Sequence, residues 1–425
     1  MPSALFDVFH MRAFLLRGLT ASDVAYAHSV YWVWNISNDV FAGYWIDRFC
    51  AVFGSRLPLV RCLSGVWIIV ASFPFIDVGL DPFVHYFISI MMYDGCMSVV
   101  CIARGSLVQE LGNDERRRIA MGRIGTLCAI PEGLLTLAGM SLWERPAAFR
   151  SLLLFASCLS VLFLEVGYRL CRAGIQTTAT TAGSRSAFSL RSYLRQLSVQ
   201  RNFWAFVGMN AVMEMQGTFH SQFNAIVADI LMPSFSGAVL PLLGLAGFVA
   251  AYAATLFADS YGTYFVIRYA IFGKVLVCVS AAILVAHAIV PPDAAACIVM
   301  VLLQVGMSSA TKFFDVTVAN LADEFSVLAS AEVDVTSRMY ATHAVFAKPL
   351  NSLAPIIATR VLSTESYREM KVAGGEPPWE LQRQALRLLI GLPLAVGLVQ
   401  WASWRRFSLH GKGLLRIQAL RRPPK

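Results

Sequence analysis

Long apolar segments alternate with short polar segments along almost the whole chain. A helix needs about 20 mainly apolar residues to cross the hydrocarbon layer of a membrane, and each backbone amide must find its partner within that helix. The pattern therefore predicts eleven membrane-spanning helices, at residues 24–47, 58–76, 82–111, 119–142, 147–170, 203–231, 236–258, 264–289, 293–322, 336–362 and 384–406.

The first apolar segment is shorter than the others. Residues 4–19 are interrupted by Asp7, His10 and Arg12, which predicts a shortened first helix. An incomplete gene start is an alternative explanation. A signal peptide is not indicated, because it would need basic residues before its apolar core and small residues after it.

One polar segment divides the chain near its middle. Between Leu170 and Phe203 the sequence is rich in Thr, Ala, Gly and Ser and then in arginine, as is typical of a linker. With the short first helix, the pattern predicts an all-α polytopic membrane protein of two six-helix bundles. The predicted parts are an N-terminal bundle at 1–170, a linker at 171–202, a C-terminal bundle at 203–406 and a basic tail at 407–425.

Composition and charge favour a membrane protein over a water-soluble one. Hydrophobic residues make up 57% of the chain and charged residues 14%, whereas about a quarter of a soluble domain is charged. The 35 basic residues exceed the 26 acidic ones, and the arginines fall between apolar segments. Under the positive-inside rule, the linker and both termini face the cytoplasm, in either the plasma membrane or an organelle membrane. We expect contact with the lipid bilayer and no nucleic acid partner.

The motifs of soluble enzymes and metal sites are absent from the sequence. The chain lacks a GxxxxGK[ST] phosphate loop, an HExxH helix and a GxSxG turn, so neither ATP-driven pumping nor hydrolytic catalysis is expected. The nine cysteines include no CxxC pair, which argues against a zinc site. We therefore expect no catalytic residue, no metal site and no cofactor, apart from a transported Na⁺ or H⁺.

The two halves carry similar segments after the second and eighth predicted helices. Gly43 begins a GxxxDR segment that ends at Asp47 and Arg48 and is followed by Arg56, and the eighth helix ends near Asp259. A parallel repeat of this kind is typical of two bundles around a binding site at the membrane midplane. The GxxxDR segment resembles the loop motif of the major facilitator superfamily, and the resemblance implies the fold of that superfamily.

Charged residues accompany this motif on the predicted cytoplasmic side. They resemble the network that holds one conformation of such transporters shut, and the same positive charges also set the orientation in the membrane. The candidate gating residues are Gly43, Asp47, Arg48, Arg56, Glu110 and Arg116, with Asp114, Arg117 and Arg118 beside them.

A second resemblance lies in the second and eleventh predicted helices. Trp34-Asn35-Ile36-Ser37-Asn38-Asp39 is similar to the second-helix motif of the glycoside-pentoside-hexuronide cation symporters, the melibiose permease branch, and Lys348-Pro349 stands where that branch has a lysine. Within the branch, the chain resembles the transmembrane protein 180 family over nearly its whole length. The residues that carry this likeness include Tyr93-Asp94-Gly95, Phe149-Arg150, Arg201-Asn202-Phe203 and Ala354-Pro355.

The resemblance to sugar symporters implies a coupling cation held by carboxylates of helices 2 and 4. Asp39 keeps one such position, but Asn35 and Cys101 stand at two others, and Val40 replaces a proline. These departures leave sodium coupling open. Asp94 and Glu132 are further acids within the predicted spans, and either is a candidate to replace the missing ligands.

Asp39 and Lys348 are the strongest candidates for functional charges within the spans. An ionised side chain at the bilayer centre costs at least about 2.5 kcal/mol, so it usually faces a cavity or a partner. Asn35, Asn38 and Asp39 share one helical face, and Asp39 is the natural partner of Lys348 across the bundle. The alternatives are a polar patch that joins helices and a lysine that reaches the interface.

Helices 7 and 10 carry further candidate residues. Helix 7 also carries Asn210 and Glu214, and its Gln216, His220 and Asn224 recur every fourth residue, which forms a polar face that lines either a solute path or a helix contact. Lys312 and Asp315 are three residues apart and either bind solute or neutralise each other. The complete candidate set for solute or cation binding is Asn35, Asn38, Asp39, Asp94, Cys101, Glu214, His220, Lys312, Asp315 and Lys348.

These features lead to three functional hypotheses. The first is a secondary transporter, coupled to a cation or proton, that moves a small polar or amphipathic solute by alternating access between helices 2, 4, 7, 10 and 11. The second is a transporter-derived receptor or scaffold that moves nothing. The third is a lysolipid transporter, which predicts an opening toward the bilayer.

Overall fold

The computed structural model describes residues 2–53, 56–112, 114–143, 145–176, 190–234, 236–329, 335–373 and 375–421. Every regular element within these ranges is a helix. The α-helices are α1 (Pro2–Leu16), α2 (Ala21–Phe53), α3 (Leu57–Val70), α4 (Pro82–Leu111), α5 (Glu115–Cys128), α6 (Ile130–Leu142), α7 (Pro146–Gln176), α8 (Leu190–Val199), α9 (Arg201–Leu231), α10 (Ser236–Tyr261), α11 (Thr263–Ala286), α12 (Pro292–Thr311), α13 (Phe314–Leu328), α14 (Thr336–Val361), α15 (Thr364–Ala373), α16 (Trp379–Trp404) and α17 (Gly411–Arg421).

The helices form the two six-helix bundles that the apolar pattern predicts. Helices α1 to α7 make the first bundle, in which α5 and α6 together form one span, and α9 to α16 make the second, in which α12 and α13 form one span. The first helix is short, with 15 residues. Two predicted continuous spans are divided, one at Ala129 just before Pro131 and the other at Lys312 and Phe313.

The helices differ in how apolar they are along their length. Among the described residues, eight helical segments are long and apolar enough to cross a membrane. Helices α1, α2, α9 and α14 are not among them, because α1 is short and the other three carry many polar side chains. These helices pack against one another, α14 against α2 and α9, and α1 against α9. These four helices therefore lie where the two bundles meet.

Local signals fix where the site-bearing helices begin. Asp81 caps α4, because its carboxylate accepts hydrogen bonds from the backbone amides of Phe83 and Val84, and Pro82 occupies the first turn. Asp114 caps α5 in the same way through the amide of Arg117. These caps satisfy amides that would otherwise lack partners at the helix start.

Apolar contacts join the two bundles on both sides of the membrane. We call the side that holds α8 and α17 the linker side, and the other the far side. On the linker side, Ile46 and Ile119 of the first bundle share one buried cluster with Ala258 and Phe313 of the second. On the far side, a second cluster includes Met11, Phe14, Phe223 and Ile226. Because Ile46 and Ala258 share one cluster, the repeated segments of α2 and α10 lie on the same face, as a parallel repeat predicts.

Candidate functional site

Lys348 of α14 joins the two bundles at the centre of the protein. Its side chain is 9% exposed. The ammonium Nζ donates hydrogen bonds to Asp39 Oδ1 of α2 at 2.8 Å, to Asp94 Oδ1 of α4 at 2.9 Å and to Ser98 Oγ of α4 at 2.5 Å. The predicted contact between Asp39 and Lys348 is therefore direct, and Asp94 makes a second ion pair. We call Asp39, Asp94, Ser98 and Lys348 the Lys348 cluster.

Neighbouring polar groups orient the carboxylates of this cluster. Asn38 Nδ2 donates to the carbonyl oxygen of Asp94 at 3.3 Å and to its Oδ2 at 3.2 Å, and the Tyr31 hydroxyl also hydrogen-bonds to Asp94. The α2 face predicted from the spacing of Asn35, Asn38 and Asp39 thus points to α4 and α14. Asn35 is buried on that face, but its side-chain oxygen has no hydrogen-bond partner among the described residues.

A second polar group lies one helical turn away along α14. Asn351, three residues after Lys348, donates through Nδ2 to Glu214 Oε2 of α9 at 3.1 Å. Asn210 donates to Glu214 Oε1 at 2.7 Å and contacts the ring nitrogen of His343 at 2.9 Å. The Glu214 side chain is 32% exposed, although α9 is buried over most of its surface.

Other predicted binding residues lie apart from the Lys348 cluster. His220 contacts Gln216 at 3.4 Å, in a group that surrounds Lys274 and not Lys348. Cys101 follows Ser98 by three residues on α4 and is partly buried. Its side chain therefore points to the same face of α4 but closer to the linker side.

Lys312 and Asp315 do not form a direct ion pair, although each lies close enough to influence the charge of the other. The i, i+3 argument assumes a continuous helix, but α12 ends at Thr311 and α13 begins at Phe314, so Lys312 lies in the break. Among the ion pairs formed by the described residues, none joins these two side chains. Asp315 Oδ1 instead accepts from the Tyr340 hydroxyl at 2.7 Å.

Two of the candidate gating residues, Gly43 and Arg56, are closely packed on the linker side. Gly43 lies against α14, and Arg56 is 2% exposed and has interactions of its own. Arg116 is exposed. The side chains of Asp47, Arg48 and Glu110 lie outside the described residues.

A fully buried ion pair of Arg118, one of the residues beside the candidate gating set, joins the bundles on the linker side. Arg118 Nη2 lies 2.8 Å from Asp323 Oδ2 of α13, and both side chains are fully buried. Arg118 also donates to Asn320 Oδ1 at 2.7 Å. Two more polar contacts cross between the bundles here, Arg123 with Asp259 and Glu115 with Thr263.

A smaller polar link closes the far side. Arg12 of α1 lies 3.5 Å from Asp229 Oδ2 of α9, and Asp229 also accepts from the Tyr367 hydroxyl at 2.9 Å and pairs with Lys371 at 3.0 Å. Tyr367 and Lys371 belong to α15, a short helix that the apolar pattern did not predict. Charged contacts therefore join the bundles above and below the Lys348 cluster.

Sequence reasoning missed three residues with central roles in these contacts. Ser98 is a small polar residue inside a span, and nothing in its spacing marks it. Lys274 and Gln400 make a second buried polar group, in which the Lys274 ammonium donates to both Gln400 and Gln216. Lys274 could have been identified from the sequence, because an ionisable residue within a span is by default a functional candidate.

Two six-helix bundles and a buried charge cluster between them define an integral, multi-pass membrane protein with the major facilitator superfamily fold. The chain is similar to a bacterial homologue of the iron transporter ferroportin in an outward-facing state, with a TM-score of 0.55, 14% identity and coverage of 96% of this chain and 99% of that one. It is also similar to the superfamily transporter FucP in its outward conformation, with a TM-score of 0.51, 12% identity and coverage of 96% and 98%.

Two curated relatives are similar in sequence over most of the chain. Transmembrane protein 180 of Gallus gallus is 23% identical over 452 residues, which cover 92% of this chain and 86% of the relative. Transmembrane protein 180 of Mus musculus is 23% identical over 462 residues, with the same coverage. No protein-family model matches the chain.

Gly43→Val is expected to destabilise the closed linker side. A Cβ atom at Gly43 would lie 2.9 Å from Ala341 Cβ and 3.5 Å from the backbone oxygen of Ser337, so α2 and α14 would have to separate. Overpacking of this kind costs about 1–3 kcal/mol. Gly65→Val is the matched control, because nothing lies within 4 Å of a Cβ atom there. Thermal unfolding in detergent should show a clear drop for Gly43→Val only, and equal midpoints would contradict the close packing described here.

Proposed function

We propose that this protein is a secondary transporter that moves a small polar or amphipathic solute by alternating access, with Asp39, Asp94 and Lys348 as its coupling group. The observation that carries the proposal is the Lys348 cluster. It places a buried ammonium of the second bundle between two buried carboxylates of the first. Charges at this depth are costly and are usually present for function.

The charge of the cluster favours uptake of one more cation. With both carboxylates ionised, two negative charges face one positive charge, and the remaining negative charge is buried. A proton or a sodium ion at Asp39 or Asp94 would neutralise it and compete with Lys348 for the same oxygens. Weakening that bridge would release α14 from α2 and α4. Ion binding and movement of the bundles are thereby coupled through one contact, in line with the resemblance to the melibiose permease-like symporters.

The contacts above and below the cluster suit the two gates that alternating access requires. On the linker side, which the positive-inside rule assigns to the cytoplasm, Arg118 with Asp323 would separate when the site opens inward. On the far side, Arg12 with Asp229 would separate when it opens outward. A transporter must open one set while the other stays closed.

The solute would bind beside Lys348, at Glu214 and Asn351. One carboxylate and several amides suit hydroxyl-rich or cationic solutes, because they offer both hydrogen-bond acceptors and donors. The structural neighbours are a homologue of an iron transporter and FucP, a fucose:proton symporter, so both chemistries belong in a first panel of test solutes.

The test is ion-coupled flux in liposomes that contain the purified protein and two internal dyes, one sensitive to pH and one to sodium. L-fucose, melibiose, ferrous iron and a lysophosphatidylcholine are added outside, with and without a sodium gradient. At least one solute is expected to drive proton or sodium entry in wild type and not in Lys348→Met. Lys412→Met, an exposed change in α17, serves as the control and should match wild type.

A receptor or scaffold is the competing function, since the buried charges would also hold helices together without transport. It predicts no flux for any solute while Lys348→Met still lowers stability. Flux of lysophosphatidylcholine alone, independent of both gradients, would favour the lysolipid hypothesis and remove the coupling role of the cluster.

A further inference from the structure

A cavity of about 780 Å³ lies between α10, α11 and α12, within the second bundle. It shares no lining residue with the Lys348 cluster. Phe257, Tyr261 and Tyr269 line it and are 60%, 66% and 68% exposed, which places its outer wall on the lipid-facing surface. The rest of the lining is almost entirely apolar, including Leu302 and Val305. Its volume falls within the range of about 300–1,000 Å³ that is usual for small-molecule sites.

One buried lysine lines this apolar cavity. Lys274 is the twelfth of the 24 residues of α11, which puts it near the membrane midplane, and it is 7% exposed. Its ammonium donates to Gln216 Oε1 at 2.7 Å and to Gln400 Oε1. No carboxylate of the described residues forms an ion pair with it, in contrast to Lys348.

The two glutamines hold the ammonium at the inner end of the cavity. Gln400 Nε2 donates to the backbone oxygen of Met209 at 3.3 Å, which turns its Oε1 toward Lys274. Lys274 also borders a void of about 10 Å³ together with Gln400, and this void shares Ala270 and Gly306 with the large cavity. An ammonium has three N–H donors, and the glutamine oxygens use two of them. The third has no acceptor among the described residues.

We propose that this cavity binds the carboxylate of a long-chain fatty acid, with the carboxylate at Lys274 and the acyl chain along α11. The charge is complementary, because the buried cation lacks an anion and the ligand brings one. The length is suitable as well. From Lys274 the lining runs along α11 to Phe265, nine residues or about 13.5 Å at 1.5 Å per residue, close to one leaflet of about 15 Å.

The position of Lys274 selects a fatty acid over a phospholipid. Lipid headgroups stay at the membrane surface, whereas this lysine lies at the midplane, so the bound molecule must carry its polar end inward. The wall near Lys274 consists of the small residues Ala270, Gly273 and Gly306. A carboxylate is small enough to be fully desolvated against a cation. A phosphocholine headgroup is too large and too polar for this. The site lies in one bundle only, so it does not depend on the proposed transport function.

The test is binding to the purified full-length protein in detergent, measured by native mass spectrometry and by displacement of a fluorescent fatty acid. Oleate is expected to bind one per protein, and oleyl alcohol, with the same chain and no charge, at least about tenfold more weakly. Lys274→Met should lower oleate affinity to that of the alcohol, and Lys274→Arg should retain most of it. A diazirine-labelled fatty acid should crosslink to α11 and α12.

Filling the cavity provides a second variant that leaves Lys274 intact. A Cβ atom at Gly273 meets nothing within 4 Å, so Gly273→Leu should fold normally and occupy the space of the acyl chain. Gly244→Leu, also in open space but outside the cavity lining, is the matched control. Oleate binding should fall in Gly273→Leu and not in Gly244→Leu. Equal binding of oleate, oleyl alcohol and lysophosphatidylcholine would overturn the proposal, as would unchanged oleate binding in both Lys274→Met and Gly273→Leu.

Discussion

Asp39→Asn is expected to abolish the ion dependence of transport while the protein stays folded. Removing this charge leaves Asp94 and Lys348 as a neutral pair, so the cluster no longer carries the negative charge that would attract a proton or sodium ion. Lys348 keeps an ion pair at 2.9 Å and is not left alone. The measurement is solute-driven proton or sodium entry into liposomes, with Asp293→Asn, an exposed change at the start of α12, as the control.

Removing both carboxylates has a larger consequence. Asp39→Asn combined with Asp94→Asn would strand a buried ammonium, and breaking a buried ion pair in this way costs about 3–5 kcal/mol. Adding Lys348→Met should restore most of that stability, because no unpaired charge remains. Thermal unfolding of the double and triple variants checks this directly. Equal stability of the two, or ion-dependent transport by Asp39→Asn, would remove the coupling role of the cluster.

The contact between Asp39 and Lys348 could be predicted because two independent signals agreed. The motif in α2 and the lysine before Pro349 suggested a shared site, and the cost of a buried charge required a partner. The apolar pattern likewise predicted the bundles, because the requirement for about 20 apolar residues acts on each segment alone.

Contacts between distant side chains could not be read from the sequence. Asp94 was a candidate acid, but its pairing with Lys348 spans 254 positions, and no periodicity connects them. The Lys274 group likewise gathers residues from α9, α11 and α16. The break at Lys312 was missed because residues 293–322 contain no proline to mark it, whereas the break near Ala129 had a signal in Pro131.

Single substitutions in the Arg118–Asp323 pair are expected to be among the most destabilising in the protein. Both side chains are 0% exposed, and removing one partner leaves the other as an uncompensated buried charge, at a cost of about 3–5 kcal/mol. Asp323→Asn should therefore unfold at a clearly lower temperature than wild type. Arg118→Met combined with Asp323→Leu should recover much of the loss, since apolar residues replace both charges.

The double variant should still lose the closed state of the linker side. Arg118 joins α5 of the first bundle to α13 of the second, so apolar replacements keep the packing but remove an attraction that acts only when the bundles meet. Ser106 reports on this, because its hydroxyl is buried 2.9 Å from Ser337 of the other bundle. With native cysteines replaced by alanine and Ser106→Cys added, a membrane-impermeant maleimide should label the double variant several times faster than the parent.

The Arg123–Asp259 pair supplies the matched control for this experiment. It also crosses between the bundles on the linker side, but its side chains are 26% and 39% exposed, and exposed ion pairs contribute only about 0–1 kcal/mol. Arg123→Met with Asp259→Leu should therefore change both the unfolding temperature and the labelling rate little. If loss of this exposed pair opens the linker side as much as loss of the buried pair does, burial does not explain the contribution of Arg118 to the closed state. The closed state would then depend on the summed charge of the linker side.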